Sequence, residues 1–148
     1  LHVLNYHHLS PSKITLEITE SMLTHDVEHT IQQMKELQSE GFTFSIDDFG
    51  TGYSCLAYLH AYPVKQLKID KSFIDRISDK ESGFSIVKTI IDLANNLGMG
   101  VVAEGVETKE QFTILKGCNI DSIQGYYFAK PMPINDYANS HSKKFKRD

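Results

Sequence analysis

The 148-residue sequence has two cysteines, Cys55 and Cys118, and neither belongs to a CxxC pair. That excludes a disulfide framework and a thiolate zinc centre, and leaves both as reduced, buried thiols of a protein expected in the cytoplasm. No HExxH pair is present either. No apolar run approaches the roughly 20 residues that cross a bilayer, and the amino terminus lacks the basic-then-apolar layout of a secretory signal, so no membrane segment is expected in the chain. Proline and glycine are not in excess and there is no low-complexity tract, which argues against a disordered or fibrous class. A clustered basic surface is missing as well. With a formal charge of −4, broad electrostatic binding to a DNA or RNA duplex is excluded, and any phosphate ligand must be held by other means.

What is present is ordinary for a folded domain: 41% hydrophobic and 23% charged residues. A chain of this length suits one domain and buries roughly two thirds of its unfolded surface. It begins with Leu1 rather than Met, which reads as processing or as a piece of something longer. Apolar runs predict strands over 14–18, 42–47, 66–69, 100–103 and 122–128. Helical periodicity lies between them. Over 26–40, Val27, Ile31, Met34 and Leu37 recur every three or four residues, with Asp26 and Glu28 in the first turn and Gly41 as the stop. Over 84–97, Val87, Ile90, Ile91, Ala94 and Leu97 form a wide apolar stripe that ends at Gly98. Thr108 with Gln111 is a capping-box pattern opening a third helix, closed by Gly117. Shorter helical turns are expected around 53–60 and 72–77.

Strand and helix in alternation predict parallel strands joined by right-handed crossovers, an α/β architecture. Five strands do not close a barrel of eight. The alternatives are an open doubly wound sheet and a partial (β/α)8 TIM-like barrel of about five strand–helix units.

Acidic residues gather where the predicted strands finish: Glu17 and Glu20, Asp47 and Asp48, Glu104 and Glu107. The carboxyl ends of parallel strands share one mouth, so groups remote in sequence can meet there. Carboxylates brought together repel and raise one another's pKa unless a cation or a lysine compensates. All-oxygen donors favour Mg²⁺ or Mn²⁺ over zinc. Two such ions about 4 Å apart are a recurrent device for phosphodiester cleavage. Lys68, at the end of its strand, is placed to orient water or balance charge. Gly50 and Gly52 leave the backbone after Asp48 free to bend around a ligand or move as a lid.

Taken in series, LEITES, DDFGTGYSCL, KIDKSFI, VVAEGVET and QGYYFAKPMP resemble the EAL family of cyclic di-GMP phosphodiesterases over residues 10–133. The resemblance implies a single, incomplete EAL domain spanning 1–148, with two divalent ions that hydrolyse cyclic di-GMP to linear pGpG. It implies Glu17 as a ligand of the first ion, Asp47 as the carboxylate shared by both, and Asp48 and Glu104 as ligands of the second. By the same resemblance, Lys68 holds the catalytic water, Gln124 is the polar group beside it, Glu20 steadies the loop carrying Gly50, Thr51, Gly52 and Tyr53, and Glu107 is a further site acid. A homodimer and a parent protein with an attached sensor or diguanylate-cyclase domain, and anchored to a membrane through regions outside this chain, are also in keeping with it.

The chain departs from the family pattern in having no Glu-Ala-Leu motif, no arginine following one, and no upstream Asn motif. Asn5 lies in a segment resembling the helix before the first strand and does not replace it. Cys55 stands where many relatives carry serine. The expectation is therefore that the parent domain is the enzyme and that the 148 residues alone turn over weakly or not at all. The alternative is a degenerate module that binds cyclic di-GMP or a protein partner in regulation. His25 and His29, spaced i and i+4, read as surface residues without a third ligand. Tyr126, Tyr127 and Phe128 are expected to alternate across a strand with at least one ring in the core, and 141–148 to be a frayed tail.

Overall fold

A computed structural model of the chain describes residues 2–24, 26–51, 57–78 and 80–137. The elements run α1 (His2–Tyr6), β1 (Thr15–Thr19), α2 (Val27–Ser39), β2 (Thr43–Phe49), β3 (Gln66–Ile69), α3 (Lys71–Ile74), α4 (Lys80–Asn96), β4 (Gly100–Ala103), α5 (Lys109–Lys116) and β5 (Ser122–Ile123). Tight 3-10 turns at Pro11–Lys13, Glu20–Thr24 and Leu59–Ala61 join some of them.

Local chemistry sets the helix ends. The Asp26 side chain caps α2 by accepting from the His29 N–H, and Gly41 (φ +101) follows its last turn. The predicted capping box at Thr108 and Gln111 is formed in both directions, and Gln111 also donates to the Ile74 carbonyl, tying α5 to α3. Val87, Ile91 and Ala94 on α4 are fully buried. Side chains such as Val87 and Ile91 each contribute about 1.5–3 kcal/mol on leaving water.

All four strand pairings are parallel, and the order in the sheet is the chain order, β1-β2-β3-β4-β5. That order decides between the two architectures left open by sequence. A doubly wound sheet reverses direction at a switch point and places helices on both faces; a sheet wound one way, with right-handed crossovers throughout, stacks its helices on one face, as in a (β/α)8 barrel. The residues agree. Leu16, Ile18, Phe44, Ile46, Leu67, Ile69, Val101 and Ala103 occupy one face and pack into the helix-covered core. The opposite face is polar for the most part, carrying Thr15, Glu17, Thr43, Ser45, Asp47, Gln66, Lys68 and Ser122. Val102 on this second face is buried yet stands apart from the main core cluster.

Some expectations are corrected. The last strand ends at Ile123 rather than Phe128, because Gly125 approaches the Val106 backbone so closely that a Cβ there would lie 2.2 Å from its carbonyl oxygen, and the chain turns. Tyr126, Tyr127 and Phe128 consequently lie in that turn, all exposed, instead of alternating into a core. Tyr127 and Phe128 pack on Phe112 of α5. β1 and β2 each begin one residue later than predicted, and β2 continues to Phe49. Helix α4 begins at Lys80, before the apolar stripe, since polar residues extend a helix without leaving a periodic signal. Cys118 is half-buried rather than buried, and burial raises its thiol pKa. Cys55, His25, Gly52, Tyr53 and the tail 141–148 lie outside the described residues.

Candidate functional site

Glu17 is the third residue of β1, Asp47 the fifth of β2 and Lys68 the third of β3; Glu104 follows β4 directly and Gln124 follows β5. Parallel register and the period of two send Glu17, Asp47 and Lys68 to the same polar face. They converge there. Lys68 Nζ lies 2.8 Å from Glu17 Oε1, 2.9 Å from Asp47 Oδ1 and 2.7 Å from Glu104 Oε1. Gln124 donates its side-chain N–H to the same Glu104 oxygen at 2.6 Å. The three carboxylate oxygens therefore surround one nitrogen, within about twice an ordinary hydrogen-bond distance of one another.

The electrostatics follow from that geometry. Burial by itself would lower the Lys68 pKa, and Lys68 is 7% exposed. Its close ion pairs with Glu104, Glu17 and Asp47 outweigh burial and hold it well above the ordinary lysine range. It is a fixed positive charge. Burial raises the Glu104 carboxyl; Lys68 pulls it down, while Asp47 and Glu17 push it up, and the balance lies above the usual carboxylate range. Three carboxylates against one ammonium leave two negative charges uncompensated at the centre of the sheet's polar face.

Asp48 is a special case. It has a left-handed backbone (φ 53), and the β2–β3 register shifts between Ile46 and Phe49. This bulge breaks the alternation that would send Asp47 and Asp48 to opposite faces. Asp48 makes no ion pair among the described residues. Just beyond it, Thr51 Oγ1 donates to the Asp48 carbonyl at 2.8 Å, and the Gly50 N–H donates to Glu20 Oε2 at 2.9 Å. Glu20 is 2% exposed, so a buried carboxylate grips the start of the loop. Gly50 is required where it stands: its φ is +94, and a Cβ would meet the Phe73 ring at 2.8 Å.

Glu107 is not part of the cluster. It pairs with Lys71 at 3.3 Å, and Lys71 also holds Asp75 at 2.6 Å. Lys71, Glu104, Glu107 and Gln124 line a cleft of about 850 Å³ beside the carboxylates, whose other wall includes Tyr126, Lys130, Met132, Ile134 and Tyr137. Lys130 Nζ stands 5.7 Å from the centre of the Tyr126 ring. Sequence reasoning singled out none of Lys71, Lys130 and Tyr137; for Lys130 and Tyr137 the reason is that the turn at Gly125, which brings the 126–137 segment to the cleft, is a tertiary event.

Whether the donors suit a divalent cation can be judged on these residues. Among the described residues, no three His, Cys, Asp or Glu side chains are grouped so as to hold an ion by themselves, and the acids centre on the ammonium. The donor chemistry nevertheless fits a hard ion: all donors are oxygen, the local charge is in deficit, and Asp47 Oδ1 is buried without a hydrogen bond, its Lys68 contact being ionic only. Ser45 Oγ, fully buried on the same face, also has no hydrogen-bond partner. Sequence reasoning passed over Ser45, since an isolated serine within a strand carries no signal.

Comparison with known proteins gives a consistent picture. The sequence pattern of the EAL domain matches residues 1–131. Cyclic di-GMP phosphodiesterase NbdA of Pseudomonas aeruginosa is 41% identical over 133 residues, 90% of this chain and 17% of that protein. Bifunctional diguanylate cyclase/cyclic di-GMP phosphodiesterase MucR of the same organism is 41% identical over 127 residues, 86% of this chain and 18% of its own length. The solved PaMucR phosphodiesterase in complex with c-di-GMP superposes with a TM-score of 0.87 at 39% identity, covering 92% of this chain and 55% of that one. A manganese/cy-diGMP complex of Klebsiella pneumoniae BlrP1 superposes with a TM-score of 0.81 at 32% identity, covering 88% of this chain and 33% of that one. The chain thus spans about one sixth of the length of the curated relatives it matches.

Proposed function

The chain belongs to the EAL domain family, and from that premise we propose that it supplies the lysine-centred carboxylate cluster of a phosphodiesterase site that opens cyclic di-GMP to linear pGpG. The observation that carries this reading is the meeting of Glu17, Asp47 and Glu104 on the single Lys68 ammonium beside an open cleft.

In this reading Glu17 would hold the first divalent ion, Asp47 would be shared by both, and Asp48 with Glu104 would hold the second, the ions being Mg²⁺ or Mn²⁺. When bound, such ions supply Lewis acidity and the positive charge that draws a phosphodiester in. The remaining work falls to the chain's own groups. Lys68, charged at all physiological pH, donates to a water and orients its lone pair toward phosphorus, while Gln124 fixes Glu104 on the other side. Attack by that water forms one P–O bond and breaks the bond to the ribose 3′ oxygen, which takes up a proton; the product is a linear dinucleotide with a 5′ phosphate. Tyr126, Met132, Ile134 and Tyr137 offer apolar surface for a base, and Lys71 and Lys130 favour the phosphates. Glu20, through Gly50, steadies the backbone that follows the paired aspartates.

One observation favours a second reading, a regulatory module that binds cyclic di-GMP or a protein partner: among the described residues no three acids are grouped so as to hold an ion by themselves. Incubating the purified chain with cyclic di-GMP and Mn²⁺ separates them. Weak pGpG release that Asp47→Ala abolishes supports hydrolysis; tight binding with no product supports regulation; neither binding nor product overturns both. An attached sensor or cyclase domain, a homodimer and a cytoplasmic setting belong to the same proposal. No helix among the described residues is long and apolar enough to cross a membrane.

A further inference from the structure

The carboxylate of Asp47 has the most demanding task in the proposed site, since it is shared between two ions and must be held in one orientation. Its contact with Lys68, 2.9 Å at Oδ1, is not a hydrogen bond, and that oxygen is buried. Ser45 stands two residues earlier in β2. Ser45 pairs with Glu17 and Asp47 with Thr19 in unbroken register, so both side chains leave the same face of the strand. Two residues of a strand separate their backbones by about 6–7 Å. Ser45 is fully buried and its hydroxyl, like Asp47 Oδ1, has no hydrogen-bond partner. Among the described residues these are the two buried side-chain polar atoms left without one. They are complementary, because a hydroxyl donates and a carboxylate oxygen accepts.

We propose that Ser45 is a positioning residue for Asp47: its hydroxyl donates toward Asp47 Oδ1 through one buried water and fixes that carboxylate for the divalent cation. A single water with hydrogen bonds of about 2.8 Å on either side would join two side chains that leave one face of a strand two residues apart. Lys68 Nζ, already beside Asp47 Oδ1, gives the water a third partner, which meets the two to four polar contacts that a buried water needs. Groups behind a metal ligand act in this way, orienting it without touching the ion. The inference rests on the reading of Asp47 as a metal ligand.

The test is calorimetric titration of Mn²⁺ into the chain and into Ser45→Ala, with thermal melts of both taken without metal. Loss of the hydroxyl is expected to raise the Mn²⁺ Kd by about tenfold or more while the metal-free Tm stays within a few degrees. An unchanged Kd, with or without a higher metal-free Tm, overturns the role of Ser45 and leaves the metal reading intact. Failure of the unaltered, folded chain to bind Mn²⁺ overturns the metal reading and this inference with it. Should alanine cost the fold, Ser45→Cys retains the volume, forfeits most of the hydrogen bond and is expected to show the same rise in Kd.

Discussion

Lys68 Nζ and Glu104 Oε1 lie 2.7 Å apart, joining the third residue of β3 to the residue that follows β4. Two further carboxylates reach the same nitrogen, so the lysine holds the strand ends together as well as facing the cleft.

Replacing Lys68 with Met should therefore destabilise the fold by about 3 kcal/mol in urea melts at pH 7, the lower end of the cost of stripping one partner from a buried charge cluster, because Glu17 remains half-exposed to solvent. The pH dependence has a definite sign. Without the ammonium, Glu104 loses the group that pulls its raised pKa down, so its folded pKa climbs further above the unfolded value, the native state binds more protons and the variant regains stability as pH falls. In the unaltered chain, the raised Lys68 pKa gives a contribution that is complete below the ordinary lysine value of 10.5 and is lost as pH rises through the higher folded value.

Asp70 caps α3 by accepting from the Ser72 N–H at 2.9 Å, and its pKa is lowered: burial opposes the shift, and the bonds from Ser72 and Lys71 outweigh burial. Asp70→Ala should cost about 1 kcal/mol at pH 7. Since the folded pKa lies below the ordinary 3.8, the difference between the two proteins is full above that pH and disappears as pH falls through the folded value. Parallel urea melts at pH 7 and pH 2.5 measure it; a cost as large at the lower pH as at pH 7 contradicts the ionic cap.

Glu20→Ala removes the acceptor of the Gly50 N–H. Exchange of the Gly50 amide should accelerate at least tenfold, while amides in α5 keep their protection. Equal acceleration in both places would mean that Glu20 supports the whole fold and not this loop.

How far residues could be read without coordinates depended on the range of the signal. The Thr108–Gln111 cap lies within four residues, and formed as expected. Glu17, Asp47, Lys68 and Glu104 were legible because strand-end position and the period of two are properties of short segments. The end of β5 was not, since it depends on Gly125 meeting Val106, a neighbour only after folding. Glu107 looked like a companion of Glu104, and its pairing with Lys71 arises from the approach of two separate loops. Ser45 became visible only when its hydroxyl was found buried and unpaired.

The most direct test of the account is a crystal of this chain grown with Mn²⁺ and measured at a wavelength where manganese scatters anomalously. The account predicts an anomalous peak among Asp47, Asp48 and Glu104, at about 2.0–2.3 Å from their oxygens, with Lys68 drawn aside from that position. No peak, and the three carboxylates still gathered on the Lys68 ammonium in the presence of saturating manganese, would contradict it.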